Sequence, residues 1–125
     1  DPEDLLERWL QCVNKGDIES LLTLYDKEAV LIPTFSNRIL DTPDKLREYF
    51  EDLASREGLS VTLHKKTVIA QEMTRQIFSL SGIYNWRFNI EGEGFNFEAR
   101  FSYLIDLSKT SPILNHHSSQ IPHML

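Results

Sequence analysis

The chain has 125 residues, with a hydrophobic share of 41% and a charged share of 26%, which is the composition of a single globular domain spanning residues 1–125. Its 13 Lys and Arg against 19 Asp and Glu give a net charge of −6 without a basic stripe, so nucleic acid is not an expected partner. A lone Cys12 excludes an intrachain disulfide and a cysteine-based zinc site. The longest apolar runs are far shorter than the ~20 residues that span a bilayer, so no membrane partner is expected.

The N-terminal part of the chain predicts three helices. Asp1 before Pro2 is a typical helix start, and Gly16 is a typical left-handed helix stop. Asp17 caps a short second helix, and Thr42 before a proline caps a third. Each helix has one apolar face, formed in turn by Leu5, Leu6, Trp9, Leu10 and Val13, by Ile18, Leu21, Leu22 and Tyr25, and by Leu46, Tyr49, Phe50 and Leu53.

The remainder of the chain predicts strands, because it is rich in β-branched and aromatic residues with period-two stretches. A short strand at 29–33 is followed by long strands at 59–70, 76–89, 95–107 and 113–119. The turn-like gaps between the long strands, at 70–72, 91–94 and 108–112, are short and predict hairpins, hence an antiparallel meander. Helices followed by strands are the order of an α+β fold.

The strand at 95–107 has two unlike faces. One face carries Phe95, Phe97, Ala99, Phe101, Tyr103 and Ile105, and the other carries Asn96, Glu98, Arg100, Ser102, Leu104 and Asp106. An aromatic face of this kind must be covered by helices or by a second subunit. We expect a homodimer or a higher homo-oligomer with Phe97, Phe101 and Tyr103 at or near the interface, and we assign the polar face to a partly enclosed cavity.

Several segments carry a family resemblance. The run Asn-Lys-Gly-Asp at 14–17, followed by Leu-Tyr-Asp-Lys-Glu-Ala-Val at 24–30, resembles the opening of the nuclear-transport-factor-2-like superfamily. Leu-Ile-Pro-Thr-Phe-Ser-Asn at 31–37, Ala-Arg-Phe at 99–101 and Ile-Leu-Asn-His-His-Ser-Ser at 113–119 are similar to SnoaL-like proteins related to the association domain of calcium/calmodulin-dependent protein kinase II. The resemblance implies a cystatin-like cone in which three N-terminal helices pack into a strongly curved antiparallel sheet. It also implies a pocket inside the cone and dimerisation through the sheet.

The resemblance also implies roles for particular residues. In the kinase association domain an arginine-lined pocket accepts small carboxylates, and Arg100 matches the arginine of the penultimate strand. Ser118 stands where that pocket has a further arginine, so the implied affinity for anions is weakened. The superfamily includes ketosteroid isomerases, whose general-base aspartate aligns with Ile32. Because isoleucine cannot abstract a proton, isomerase chemistry of that kind is disfavoured.

His116 and His117 are the candidate catalytic or metal-binding pair. Adjacent strand residues face opposite sides, so they cannot easily bind one metal, and we expect no metal and no cofactor. Parity places His116 with Ser118 in the cavity, where a histidine could act as a general base. We favour the alternative, a hydrogen-bonded structural histidine. Glu98 could likewise hold Arg100 in an internal ion pair. The candidate ligand-binding residues are Arg100, His116, Ser118, Tyr84 and Asn37.

The leading interpretation is a dimerising domain with a pocket for a small polar or anionic ligand, in which Arg100 anchors a carboxylate beside His116. One alternative is an enzyme of the isomerase, cyclase or dehydratase type that uses His116 as acid or base; the sequence shows no clear acid–base pair for it. A second alternative is an oligomerisation module with a vestigial pocket. We expect a soluble protein and favour the cytoplasm, although a start at Asp1 without methionine is also consistent with a processed N-terminus.

Overall fold

The computed structural model describes residues 1–122 and has the α+β order that the sequence predicts. The Asp1 carboxylate accepts hydrogen bonds from the backbone N–H groups of Glu3 and Asp4, and Gly16 ends the first helix at φ 68°. None of the described helices is long and apolar enough to cross a membrane. The α-helices of the described chain are α1 Pro2–Lys15, α2 Ile18–Leu22 and α3 Pro43–Ala54.

The helical spacing of Tyr25 predicts that it belongs to the second helix, but the structure places it outside that helix. It begins strand β1 (Tyr25–Ile32), which therefore starts earlier than the predicted strand at 29–33. Tyr25 stands opposite Ile113 of the last strand, and the Ile113 N–H donates to the Leu24 carbonyl at 2.9 Å. Sheet pairing between distant segments thus overrides the local helical pattern.

The strands after α3 break at places that differ from the predicted ones. A 3-10 turn at Lys65–Thr67 divides the predicted strand at 59–70. Residues 70–72, predicted as a turn, lie within a strand, and the chain reverses at Gln76 with φ 69°. The strands that follow β1 are β2 Ser60–Leu63, β3 Ile69–Thr74, β4 Ile77–Ile90, β5 Glu93–Asp106 and β6 Ile113–Gln120.

These strands form one mixed sheet in the order β1-β6-β5-β4-β2, with β3 also paired to β4. The β3–β4, β4–β5 and β5–β6 pairs are antiparallel, as the short gaps predict. The β1–β6 pair is parallel, which corrects the prediction of a wholly antiparallel sheet. The last strand inserts between β5 and β1, and its pairing with β1 is not made through a hairpin, so the gap lengths carried no information about its direction.

The aromatic side of β5 faces the domain's own core. We call this side of the sheet its inner face. Phe101 and Tyr103 are 4% and 3% exposed. Trp9 of α1 packs against this side, with ring centroids 5.9 Å from Tyr103 and 5.6 Å from Tyr84. Of the residues predicted at a subunit interface, Tyr103 is therefore covered by this chain's own helix, Phe101 is buried and Phe97 is half-buried. The opposite, outer face carries the polar side chains.

Asn14 ties the end of α1 to the edge strand β2. Its Nδ2 donates to the Val61 carbonyl at 2.9 Å, and its Oδ1 accepts from the Val61 N–H at 2.7 Å. One amide side chain thereby satisfies both backbone groups of an edge-strand residue. This clamp fixes the position of α1 over the inner face.

We expect Asn14→Ala to lower the free energy of unfolding by about 1–2 kcal/mol, because two part-buried hydrogen bonds are lost. Urea denaturation monitored by tryptophan fluorescence measures this. Gln11→Ala, an exposed position on the same helix, is the control and should change stability by less than about 0.5 kcal/mol. Equal effects of the two substitutions would mean that the clamp contributes nothing.

Candidate functional site

His116 lies on β6 at the inner face and is 2% exposed. A β-bulge between Leu104 and Ile105 shifts the β5–β6 register, so Ile113 and His116, three residues apart, are both buried on the inner side. His116 stands opposite Tyr103, and the two rings stack with centroids 3.9 Å apart. The imidazole is therefore held in the aromatic core between sheet and helix.

Both ring nitrogens of His116 are hydrogen-bonded. Nδ1 lies 2.8 Å from the Tyr25 hydroxyl, and Nε2 lies 3.2 Å from the Tyr84 hydroxyl. Trp9 Nε1–H donates to the Tyr25 hydroxyl at 2.9 Å. An indole is only a donor, so Tyr25 accepts from Trp9 and has its own proton to give to Nδ1. We assign the imidazole proton to Nε2, from which it is donated to Tyr84.

The cluster around His116 is neutral at pH 7. Burial, with a smaller contribution from the nearby His117, lowers the pKa of His116 to about 3. Burial likewise raises the pKa of the Tyr25 and Tyr84 hydroxyls. The site therefore holds uncharged donors and acceptors, and a histidine with so low a pKa is a weak general base near neutral pH.

A small cavity, which we call the inner cavity, lies beside His116. Its volume is about 10 Å³, enough for a single water molecule. Ser118 and Thr34, hydrogen-bonded to each other, form part of its wall together with Trp86. The Trp86 indole N–H finds no hydrogen-bond partner among residues 1–122. Among the described lining residues no lysine, arginine, aspartate or glutamate occurs, so the wall offers polar groups without fixed charge.

Arg100 lies on the outer face, away from His116. It pairs in register with Ser119, and its side chain is exposed, whereas its neighbours Ala99 and Phe101 are buried on the inner side. Side chains alternate along a strand, so Arg100 and His116 cannot share a cavity. The prediction of one pocket containing both residues is wrong, because it assigned the polar face of β5 to the inside of the cone.

The other predicted site residues divide between the inner cavity and the surface. Tyr84 and Ser118 line the inner cavity with His116. Asn37 is exposed in the segment between β1 and α3, outside that group. The predicted ion pair of Glu98 with Arg100 is also not formed within residues 1–122.

Sequence reasoning did not name four residues of this site: Trp9, Tyr25, Thr34 and Trp86 were not among the predicted site residues. Three of them are aromatic residues on apolar faces, where the sequence gives the same signal for core packing as for a site. Their polar atoms were the available sign, since a buried indole N–H or phenol hydroxyl usually has a partner. Only the three-dimensional arrangement shows which of these polar atoms has a partner among residues 1–122.

Comparison with known proteins assigns the family. The family described as calcium/calmodulin dependent protein kinase II association domain matches residues 3–122. The chain belongs to this family. Its association-domain fold is the cone that the sequence resemblance implies, with N-terminal helices and a curved, mixed sheet. No curated protein matches the chain.

Two solved structures have the same fold as this association domain. One, from Xanthomonas campestris, is described as a calcium/calmodulin dependent protein kinase II association domain. It is 21% identical to this chain, the match covers 96% of this chain and 85% of that one, and the TM-score is 0.85. The other, a ketosteroid isomerase-like protein from Erwinia carotovora atroseptica, is 15% identical, covers 97% of this chain and 94% of its own, and has a TM-score of 0.80. At these identities the likeness shows a shared fold.

We expect acid to destabilise the association domain through His116. The unfolded chain takes up a proton near pH 6.5, whereas the folded pKa is about 3, so stability is full above pH 6.5 and falls as the pH decreases between these values. Between pH 6.5 and 5 the loss should be about 2 kcal/mol. Urea denaturation across this range measures it.

His116→Gln should remove most of that pH dependence, because the amide has no proton to gain. His117→Gln, at the exposed neighbouring position, is the matched control and should keep the wild-type dependence. An unchanged pH dependence in His116→Gln would contradict the assignment of the effect to the buried imidazole.

Proposed function

We propose that the chain is a self-associating domain that forms homodimers through the outer face of its sheet. The observation that supports this most is that the described helices pack on the inner face and leave the outer face uncovered. On its middle strand, β5, Leu104 is 39% exposed, between Ser79 of β4 and Asn115 of β6. An uncovered sheet face with apolar and small polar side chains suits sheet-to-sheet packing.

The charged side chains of the outer face are suited to a twofold contact. Arg100 has no ion pair within residues 1–122, and Oε2 of Glu98 lies 3.6 Å from Nε2 of His64. In a twofold interface, a contact between one residue and a different residue of the second copy occurs twice, once in each direction. Arg100 of one copy can then pair with Glu98 of the partner subunit, which gives both groups a counter-charge.

The family supports the same proposal. The matching family is named for association, and the structure from Xanthomonas campestris carries that description. The ketosteroid isomerase-like protein raises the alternative of an enzyme. Acid–base chemistry inside the cone normally needs a group that titrates near the working pH. The described lining of the inner cavity offers His116, with its low pKa, and no carboxylate, so self-association is the function that we propose.

Leu104→Glu should convert the dimer to a monomer, because it places an uncompensated charge at the centre of the contact. We expect the dimer dissociation constant to rise at least a hundredfold, equivalent to about 3 kcal/mol. Light scattering at micromolar concentration should give twice 14.6 kDa for the wild type and 14.6 kDa for the variant.

Ile39→Glu is the matched control for this experiment. Ile39 is an exposed apolar residue outside the sheet, so its substitution should leave the mass of the dimer unchanged. A wild type that scatters as a monomer throughout the micromolar range would overturn the proposal. A dimer that persists in Leu104→Glu would place the interface elsewhere.

A second candidate function is the binding of a small neutral polar ligand in the inner cavity, once a movement of the lining opens it beyond the volume of one water molecule. The observation that favours it is the unpartnered Trp86 indole N–H beside the hydroxyls of Thr34 and Ser118. A ligand of this kind would satisfy the indole. An anion would meet only neutral groups there, so we now prefer an uncharged ligand to the small carboxylate that the sequence suggested.

Tyr49 separates the inner cavity from the surface, since its side chain lines both the inner cavity and an outer cleft. Tyr49→Ala should open the cavity. In this variant, the rise in melting temperature caused by acetamide should be at least three times the rise caused by acetate, which has the same shape. Thermal denaturation at matched ionic strength measures this. Tyr49→Phe keeps the ring, so either probe should stabilise it less than it stabilises Tyr49→Ala. Equal or stronger stabilisation by acetate would contradict a neutral site.

A further inference from the structure

A surface cleft, which we call the α3 cleft, lies between helix α3 and the segment that joins β1 to α3. Its volume is about 180 Å³. Apolar side chains contribute to its lining, including Phe35 and Leu40 of the joining segment and Leu53 of the helix. A pocket for a drug-sized ligand has roughly 300–1,000 Å³, so this cleft is limited to a smaller molecule.

Charged residues of α3 and of the segment just after it line the cleft. Lys45, Glu48 and Asp52 are three or four residues apart and share one side of the helix, and Arg56 lies two residues beyond its end at Ala54. Lys45 is already paired with Asp41, with Nζ and Oδ1 2.9 Å apart. After this pair is set aside, α3 contributes two carboxylates to the cleft and the segment after it contributes one guanidinium.

Arg56 does not neutralise the carboxylates of the preceding helix. The Arg56 guanidinium lies instead over the ring of Phe88, 5.0 Å from its centroid. Within residues 1–122, neither Glu48 nor Asp52 has an ion pair.

The opposite wall adds a second guanidinium, that of Arg38. It too has no ion pair in the part of the chain that the structure describes. The groups left unpaired in the cleft are thus two carboxylates and two guanidiniums, which sum to no net charge. An ordinary solvated helix face could carry the same residues, but this face forms one wall of a concave cleft with apolar side chains between the charges.

We propose that the α3 cleft binds a small zwitterion with an apolar side chain, of the class of free hydrophobic α-amino acids. The ammonium group pairs with Glu48 and Asp52, the carboxylate pairs with Arg38 and Arg56, and the side chain packs on the apolar lining. All four charged groups line the same cleft, so one small zwitterion can meet carboxylates and guanidiniums together. The cleft shares Tyr49 with the lining of the inner cavity and lies apart from the outer face.

Three probes with the same phenyl group test the proposal: L-phenylalanine, 2-phenylethylamine and 3-phenylpropionate. Titrations followed by backbone amide NMR shifts give the affinity and the location together. L-phenylalanine should bind at least tenfold more tightly than either singly charged probe, with the largest shifts in residues 35–40. Stronger binding by a singly charged probe, or no saturable binding of L-phenylalanine, would overturn the proposal.

Asp52→Asn and Arg56→Gln should each weaken the binding of L-phenylalanine at least fivefold while the far-ultraviolet circular dichroism stays unchanged. Glu72→Gln and Arg75→Gln, exposed charge removals at the β3–β4 turn, are the matched controls and should leave the affinity unchanged. Shifts centred on the Trp9 and Trp86 indoles would assign the ligand to the inner cavity and overturn the proposal. Light scattering on the same samples reports self-association separately, so a failure of the ligand-binding proposal can be distinguished from a failure of the self-association proposal.

Discussion

The burial of a neutral histidine among aromatic rings is the constraint on which the rest of this domain depends. His116 has each ring nitrogen hydrogen-bonded to a tyrosine, and one of these tyrosines is held in turn by the Trp9 indole. A buried polar group without partners costs about 1–3 kcal/mol, so these contacts must form together or be lost together. α1, β1, β4 and β6 each supply one of the four side chains, and the hydrogen-bond chain therefore fixes how helix and sheet meet.

This constraint also explains why the two faces of the sheet differ. The inner face is closed by aromatic packing around His116, which leaves a cavity no larger than a water molecule. No comparable layer from the described residues covers the outer face, where charged and small polar side chains are exposed. The closed interior is thus used for stability, and the surfaces that a partner can reach without opening it are the outer face of the sheet and the charged cleft beside α3.

Much of the fold could be predicted from the sequence, because helix caps and strand alternation are local signals. Asp1, Asp17 and Thr42 begin helices as their side chains indicate, and β5 alternates as its period-two pattern requires. The candidate site was harder to predict. Alternation separates two faces but does not say which of them meets α1, and for that reason Arg100 was assigned to the wrong side.

The parallel pairing of β1 with β6 has a consequence for the order of folding. Residues 25–32 pair with residues 113–117, so β1 cannot gain this partner until synthesis has reached β6. Contacts of such long sequence separation slow folding, because a large loop must close before they form. Until β6 arrives, the edges of β1 and β5 that flank its place are both open to other strands. The growing chain is then most exposed to misassociation, and a chaperone would act with most benefit at that stage.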